Sequence, residues 1–176
     1  MKGHYGRGFD QLWKEFSSAE KYVWVCSPWI TPANFTRLVK ISKNGPSVRL
    51  ITSDDDRNIE CINAMREYAK SNPSNLQYMI IQRGKRATEQ EKSVPGRLLH
   101  AKIYIKDDKL AFVGSLNFTE TSMYDNIEYL LALDDPKDVA TVKKDFEDLW
   151  LYLENDTALE EVYPEDTIPT LHKHTT

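Results

Sequence analysis

An alternation of apolar runs and helical patterns restricts the fold more than any other feature of this 176-residue chain. KYVWVCSPWIT reads as a buried strand ending at Pro28, and SVRLITSD and LQYMIIQ read as further strands. Helical spacing precedes the first strand, with Phe9, Leu12, Trp13 and Phe16 in FDQLWKEFSSA. A second helix, ANFTRLVKISK, is stopped by Asn44-Gly45-Pro46. A third, capped by Asp54 or Asp55, carries Ile59, Ile62, Met65 and Tyr68 and ends before Asn72-Pro73. The order α-β-α-β-α-β argues an α/β sandwich whose sheet starts out largely parallel. Beyond it, LLHAKIYI and KLAFVGS flank Lys106-Asp107-Asp108-Lys109 as a hairpin, and NIEYLLALD reads as a further strand. The last pattern is an amphipathic helix, VATVKKDFEDLWLYL, with Val139, Val142, Phe146, Leu149 and Trp150 on one face. The expected architecture is an α-β-α sandwich around a mixed, mainly parallel central sheet.

The length suits one domain with a real core, and 40% hydrophobic with 28% charged residues is ordinary for such a domain. No apolar run approaches the roughly 18 residues of a membrane span, so no membrane contact is expected. The opening MKGHYGRGFDQLWKEF lacks an apolar signal core, which points to a cytoplasmic chain. Cys26 and Cys61 have no metal-ligand spacing and read as reduced, buried thiols, and Ser53-Asp54-Asp55-Asp56 is better explained as a helix start than as a metal site. No metal and no cofactor are expected.

A net charge of −4 argues at first against a nucleic-acid partner. The segment 154–176, however, holds six acids and one base, Lys173, which leaves residues 1–153 near +1. Residues 1–153 are therefore read as the functional domain and 154–176 as an acidic, mobile extension. Arg83–Arg97 breaks the periodicity and carries Arg83, Lys85, Arg86, Lys92 and Arg97 against Glu89 and Glu91. It reads either as a solvated loop or as one that recruits a phosphate-bearing polymer through Arg83, Lys85, Arg86 and Arg97.

The stretch HAKIYIKDDKLAFVGSLNFT, His100 to Thr119, asks for a chemical explanation. In a strand, residues two apart share a face, so His100, Lys102 and Tyr104 point one way and Ala101, Ile103 and Ile105 point the other, into a core. An ammonium beside an imidazole favours the neutral, nucleophilic ring, and a lysine binds a phosphate oxygen as a point charge. Asn117 adds an amide, Ser115 a hydroxyl, and Gly114 a close approach of backbone. This set suits a phosphoester undergoing displacement, where positioning and charge stabilisation dominate.

His100-x-Lys102, four residues, Asp107, six residues, then Gly114-Ser115-x-Asn117 resembles the HKD signature of the phospholipase D superfamily. Its six fixed positions, each at roughly 5% abundance, coincide by chance about once in 10⁷–10⁸ starting points. Glu128 lies where family members carry an acidic residue on the following strand, and VWVCSPWIT resembles the family's first core strand. The resemblance spans roughly residues 9–153 and implies a metal-independent, covalent phosphohistidine mechanism. It implies His100 as nucleophile in one subunit and general acid/base in the other, Lys102 and Asn117 on the non-bridging oxygens, and Ser115 orienting the site. Glu128 would accept from a His100 ring nitrogen, and Asp107, counted among the site residues, would mainly support the structure. Two-motif phospholipases carry both halves in one longer chain. This chain carries one, so its site is expected across a C2 homodimer, as in the short, single-motif, nuclease-like branch.

Three functions follow. The first is a phosphodiesterase cleaving DNA or RNA, an endonuclease. The second is a phospholipase D-type lipid phosphodiesterase or transferase, which would want an amphipathic anchor. The third is a non-catalytic nucleic-acid-binding module. The complete His-Lys-Asn set and the basic loop favour the first.

Overall fold

In this computed structural model, residues 2–6, 9–71, 75–82 and 99–155 are described. The elements run β1 (Lys2–Gly6), α1 (Asp10–Ser17), β2 (Tyr22–Cys26), α2 (Pro32–Lys43), β3 (Ser47–Asp54), α3 (Ile59–Ala69), β4 (Leu76–Gln82), β5 (Ile103–Lys106), β6 (Leu110–Gly114), β7 (Glu128–Leu133) and α4 (Pro136–Asn155). The basic loop with Arg83, Lys85, Arg86 and Arg97, and the extension beyond Asn155, lie outside the described residues.

The strands form one sheet in the order β1-β7-β6-β5-β2-β3-β4. Its apolar strands are buried on both faces, which is why their sequences show no polar alternation. Val23, Val25, Leu50, Ile80 and Tyr104 face α1, α2 and α3, packing against Leu12, Phe16, Phe35, Leu38 and Met65. Tyr22, Trp24, Cys26, Ile51 and Ile105 face the other way, onto Val139, Phe146, Trp150 and Leu153 of α4. Ala101 and Ile103 pack against this second core, so the two-residue alternation expected around Lys102 holds. Pro32 opens α2 at its first turn, where a missing N–H costs nothing. Asp55 accepts the Arg57 N–H at 3.0 Å and starts the 3₁₀ turn Asp56–Asn58 that leads into α3.

The mixed α-β-α sandwich is as expected, but the sheet is not mainly parallel. Only β2–β3 and β3–β4 pair in parallel, across the crossovers through α2 and α3. The β5–β6 hairpin reverses the chain, and β2–β5, β5–β6, β6–β7 and β1–β7 are all antiparallel. The sequence pattern does not announce the edge strand β1. Its sequence, KGHYG, carries little strand signal, and its place rests on backbone pairing with β7. Strand β5 also starts later than LLHAKIYI suggests. Ile103 pairs with both Cys26 and Val113. Beyond it β2 has ended and β6 has only Gly114 left, so Leu99–Lys102 leads into the sheet without ladder pairing.

Candidate active site

The hairpin brings the two halves of the motif together. Because β5 and β6 run antiparallel with Ile103 opposite Val113, the approach to β5 that carries His100 and Lys102 lies beside the exit from β6 that carries Gly114, Ser115 and Asn117. Strand β7 adds Glu128 at the same end, since Gly114 is in register with Leu130. Gly114 is required by this contact: a Cβ built there falls 2.1 Å from the Tyr129 carbonyl oxygen. The Ser115 N–H donates to that carbonyl at 2.9 Å, and the Tyr129 N–H donates to Ser115 Oγ at 3.0 Å.

Asn117 is fixed from both sides. Leu116 and Phe118 are fully buried, and Tyr104 Oη donates to the Leu116 carbonyl at 2.5 Å. The Phe118 N–H donates to Ser27 Oγ at 3.0 Å, and Asn34 Nδ2 donates to the Phe118 carbonyl at 2.9 Å. A bridge between Ile30 and Phe118 ties the loop after β2 to the loop after β6. Asn117 thus stands on a rigid frame, 8% exposed, with its buried Oδ1 unpaired among the described residues. An unpaired buried acceptor is costly and marks a place where a ligand or water completes the structure.

His100, Lys102, Gly114, Ser115, Asn117, Glu128 and Tyr129 line one open depression of about 420 Å³. The imidazole is exposed, while Lys102 is 6% exposed. Lys102 Nζ donates to the His100 carbonyl at 2.7 Å and lies 3.1 Å from Nδ1 and 3.3 Å from Nε2 of the ring. Burial pulls the Lys102 pKa down and the Glu128 carboxylate opposes this, with a net result below the ordinary 10.5. A buried ammonium next to an accessible imidazole can take an anionic oxygen in exchange for its contacts with the ring.

One expected contact changes. Glu128 does not accept from His100: its Oε2 accepts from Ser115 Oγ, and its Oε1 accepts from Asn126 Nδ2 at 3.2 Å. The β6–β7 register places Ser115 against the start of β7, whereas the His100 ring is held by Lys102. Asn126, two residues before Glu128, lies outside the motif, and its spacing puts it on the same side of an extended chain. Asp107 stands at the opposite end of β5 from Lys102, outside the depression. It is fully buried at a φ of 52°, and its carboxylate accepts the N–H groups of Glu20, Lys21 and Tyr22 at 3.2, 2.8 and 3.0 Å. It anchors the hairpin turn to the start of β2.

No three His, Cys, Asp or Glu side chains are grouped to hold a metal ion among the described residues. Cys26 and Cys61 are free and buried, and burial pushes both thiols up to about 12.

A family model described as "Cardiolipin synthase, PLD-like domain" matches residues 12–150. Cardiolipin synthase 1 from Bacillus anthracis is 28% identical over 137 residues, covering 74% of this chain and 24% of the relative, so the chain spans about a quarter of that protein's length. Among solved structures, NucT from Helicobacter pylori superposes with a TM-score of 0.63 at 18% identity, over 85% of this chain and 96% of that one. The phospholipase D family member Nuc from Salmonella typhimurium does so with a TM-score of 0.58 at 18% identity, over 85% and 95%. The match runs from α1 through most of α4 and includes every residue of the depression, and on that extent the chain belongs to the phospholipase D-like family.

Proposed function

We propose that this chain is a metal-independent phosphodiesterase that cleaves DNA or RNA through a phosphohistidine, at a site completed by a second copy of itself. The observation that carries this reading is the convergence of an exposed His100 ring, the Lys102 ammonium and the Asn117 side chain in one open depression. In the proposed reaction a His100 ring nitrogen attacks phosphorus. The P–N bond forms as the P–O bond to the leaving group breaks, and the partner's His100 protonates the departing oxygen. Water then attacks phosphorus, the same partner histidine takes its proton, and the P–N bond breaks. Lys102 and Asn117 hold the non-bridging oxygens, and binding of phosphate draws the ammonium off the His100 ring. Ser115, Asn126 and Glu128 form a hydrogen-bonded brace behind them.

The likeness in fold to NucT and Nuc supports this reading, and the likeness in sequence to cardiolipin synthase 1 covers 24% of that protein. The competing lipid reading draws on the description of the family and on that same synthase. Cleavage of single- and double-stranded DNA and RNA, and of phosphatidylglycerol vesicles, by wild type and His100→Ala in EDTA tests both. Polynucleotide cutting that survives EDTA and vanishes in the variant is the expected result. Turnover of the vesicles alone transfers the function to lipid, and binding of nucleic acid without any turnover makes the chain a binding module.

A further inference from the structure

A second depression, of about 360 Å³, shares Asn117 with the first, so the two adjoin at that residue. Its other walls include Trp29, Thr31, Arg57 and Thr119. Arg57 is exposed, and its guanidinium carbon lies 4.1 Å from the centroid of the Trp29 ring. That distance is a cation–π contact, which holds the guanidinium in place while leaving its donors open. No carboxylate pairs with the guanidinium among the described residues. The adjacent Asp55 is buried and accepts the Arg57 backbone N–H, and Asp54 and Asp56 do not line the depression.

The platform under Arg57 is fixed. Ser27 Oγ donates to the Trp29 carbonyl at 2.8 Å, Asn58 Nδ2 donates to the Pro28 carbonyl at 2.7 Å, and Asn58 Oδ1 accepts the Ile30 N–H at 3.0 Å. Meanwhile the Thr31 hydroxyl, which can donate, is buried without a partner among the described residues. The depression therefore combines a preorganised cation with hydrogen-bonding capacity that the fold itself does not use.

We propose that this depression is a second phosphate subsite, in which Arg57, seated on Trp29, takes the phosphodiester next to the scissile one. The proposal rests on the polynucleotide reading and deepens it: consecutive phosphates along one strand occupy both depressions, with Asn117 as the shared wall. A substrate with one phosphodiester has nothing to place against Arg57.

The test compares wild type, Arg57→Ala and Arg57→Gln on an oligonucleotide and on bis(4-nitrophenyl) phosphate. Both variants lose about tenfold in kcat/KM on the oligonucleotide, chiefly through KM. Both keep the wild-type rate on the small diester, which also shows that they fold. Neutral methylphosphonate linkages are then placed singly around the cut. Wild type loses about tenfold at one flanking position, and Arg57→Ala, already lacking the contact, loses nothing there. Equal losses in both proteins, or equal cleavage of the unmodified oligonucleotide by both, overturn the subsite alone. A wild type that hydrolyses the small diester and cuts no oligonucleotide overturns the polynucleotide reading and the subsite with it.

Discussion

Lys102 Nζ lies 2.7 Å from the carbonyl oxygen of His100 and 3.1 Å from its Nδ1. The proposed nucleophile and the proposed oxyanion holder are therefore in contact before substrate arrives. The Lys102 pKa sits below 10.5 through burial, and the Glu128 carboxylate favours the charged form. Raising the pH removes the ammonium, so kcat/KM falls on an alkaline limb placed below 10.5. Glu128→Gln withdraws the favourable carboxylate and moves that limb to lower pH. Lys102→Met abolishes the limb and lowers kcat/KM by about 10²–10³. A pH–rate profile of the three proteins checks this, and a limb that Glu128→Gln leaves in place contradicts it.

Asp107 is expected to matter for stability and not for chemistry. Burial alone raises its pKa, but the N–H groups of Tyr22, Lys21 and Glu20 outweigh burial and hold it below the ordinary 3.8. A carboxylate lowered in the folded state contributes stability that is full above 3.8 and lost as pH falls through the folded value. Asp107→Ala strips the acceptor from three N–H groups, that of Tyr22 buried and those of Glu20 and Lys21 partly so, and costs about 2–4 kcal/mol near neutral pH. Urea unfolding at about pH 7 and about pH 3 measures this, with the gap to wild type narrowing in acid. A folded Asp107→Ala that binds substrate normally but cannot turn it over would return the residue to the catalytic set.

Much of this architecture is legible in the sequence, and what is missed has a physical cause. SVRLITSD and LQYMIIQ coincide with β3 and β4 because helices cover both faces of the sheet there, so apolar residues are buried on either side of each strand. β1 is held by backbone pairing, to which side-chain patterns are blind. The cluster at His100 follows from motif spacing alone. The partner of Glu128 does not, because it depends on how β6 and β7 are registered. The Trp29–Arg57 platform joins residues from two loops after separate strands, and no local pattern announces it.

Gly114→Ala separates close packing from chemistry. The added methyl meets the Tyr129 carbonyl at 2.1 Å, and backbone cannot yield as a flexible side chain can. The expected cost is about 1–3 kcal/mol, with β6 displaced from β7 and the Ser115–Glu128 bond disturbed. Thermal melting and activity fall together, and a variant with wild-type melting and wild-type rate would contradict the geometry.

Ile127 is 73% exposed and immediately precedes Glu128. If two copies share the site, this side chain stands near their junction. Ile127→Asp then lowers the rate and shifts the protein towards monomer in analytical ultracentrifugation, with unchanged melting of the isolated subunit. An active monomer, wild type or variant, rules out the shared site.

The spacing of the signature has a meaning of its own. The four residues between Lys102 and Asp107 are strand β5 itself, Ile103–Lys106, and the interval from Asp107 to Gly114 covers the turn and β6. The unspecified positions thus work as a ruler, and the specified residues mark the corners of the hairpin that they measure. Replacing one apolar residue by another along either arm leaves the corners where they are. Deleting a single residue from β5 keeps every letter of the motif but turns Lys102 towards α4, on the wrong side of the sheet.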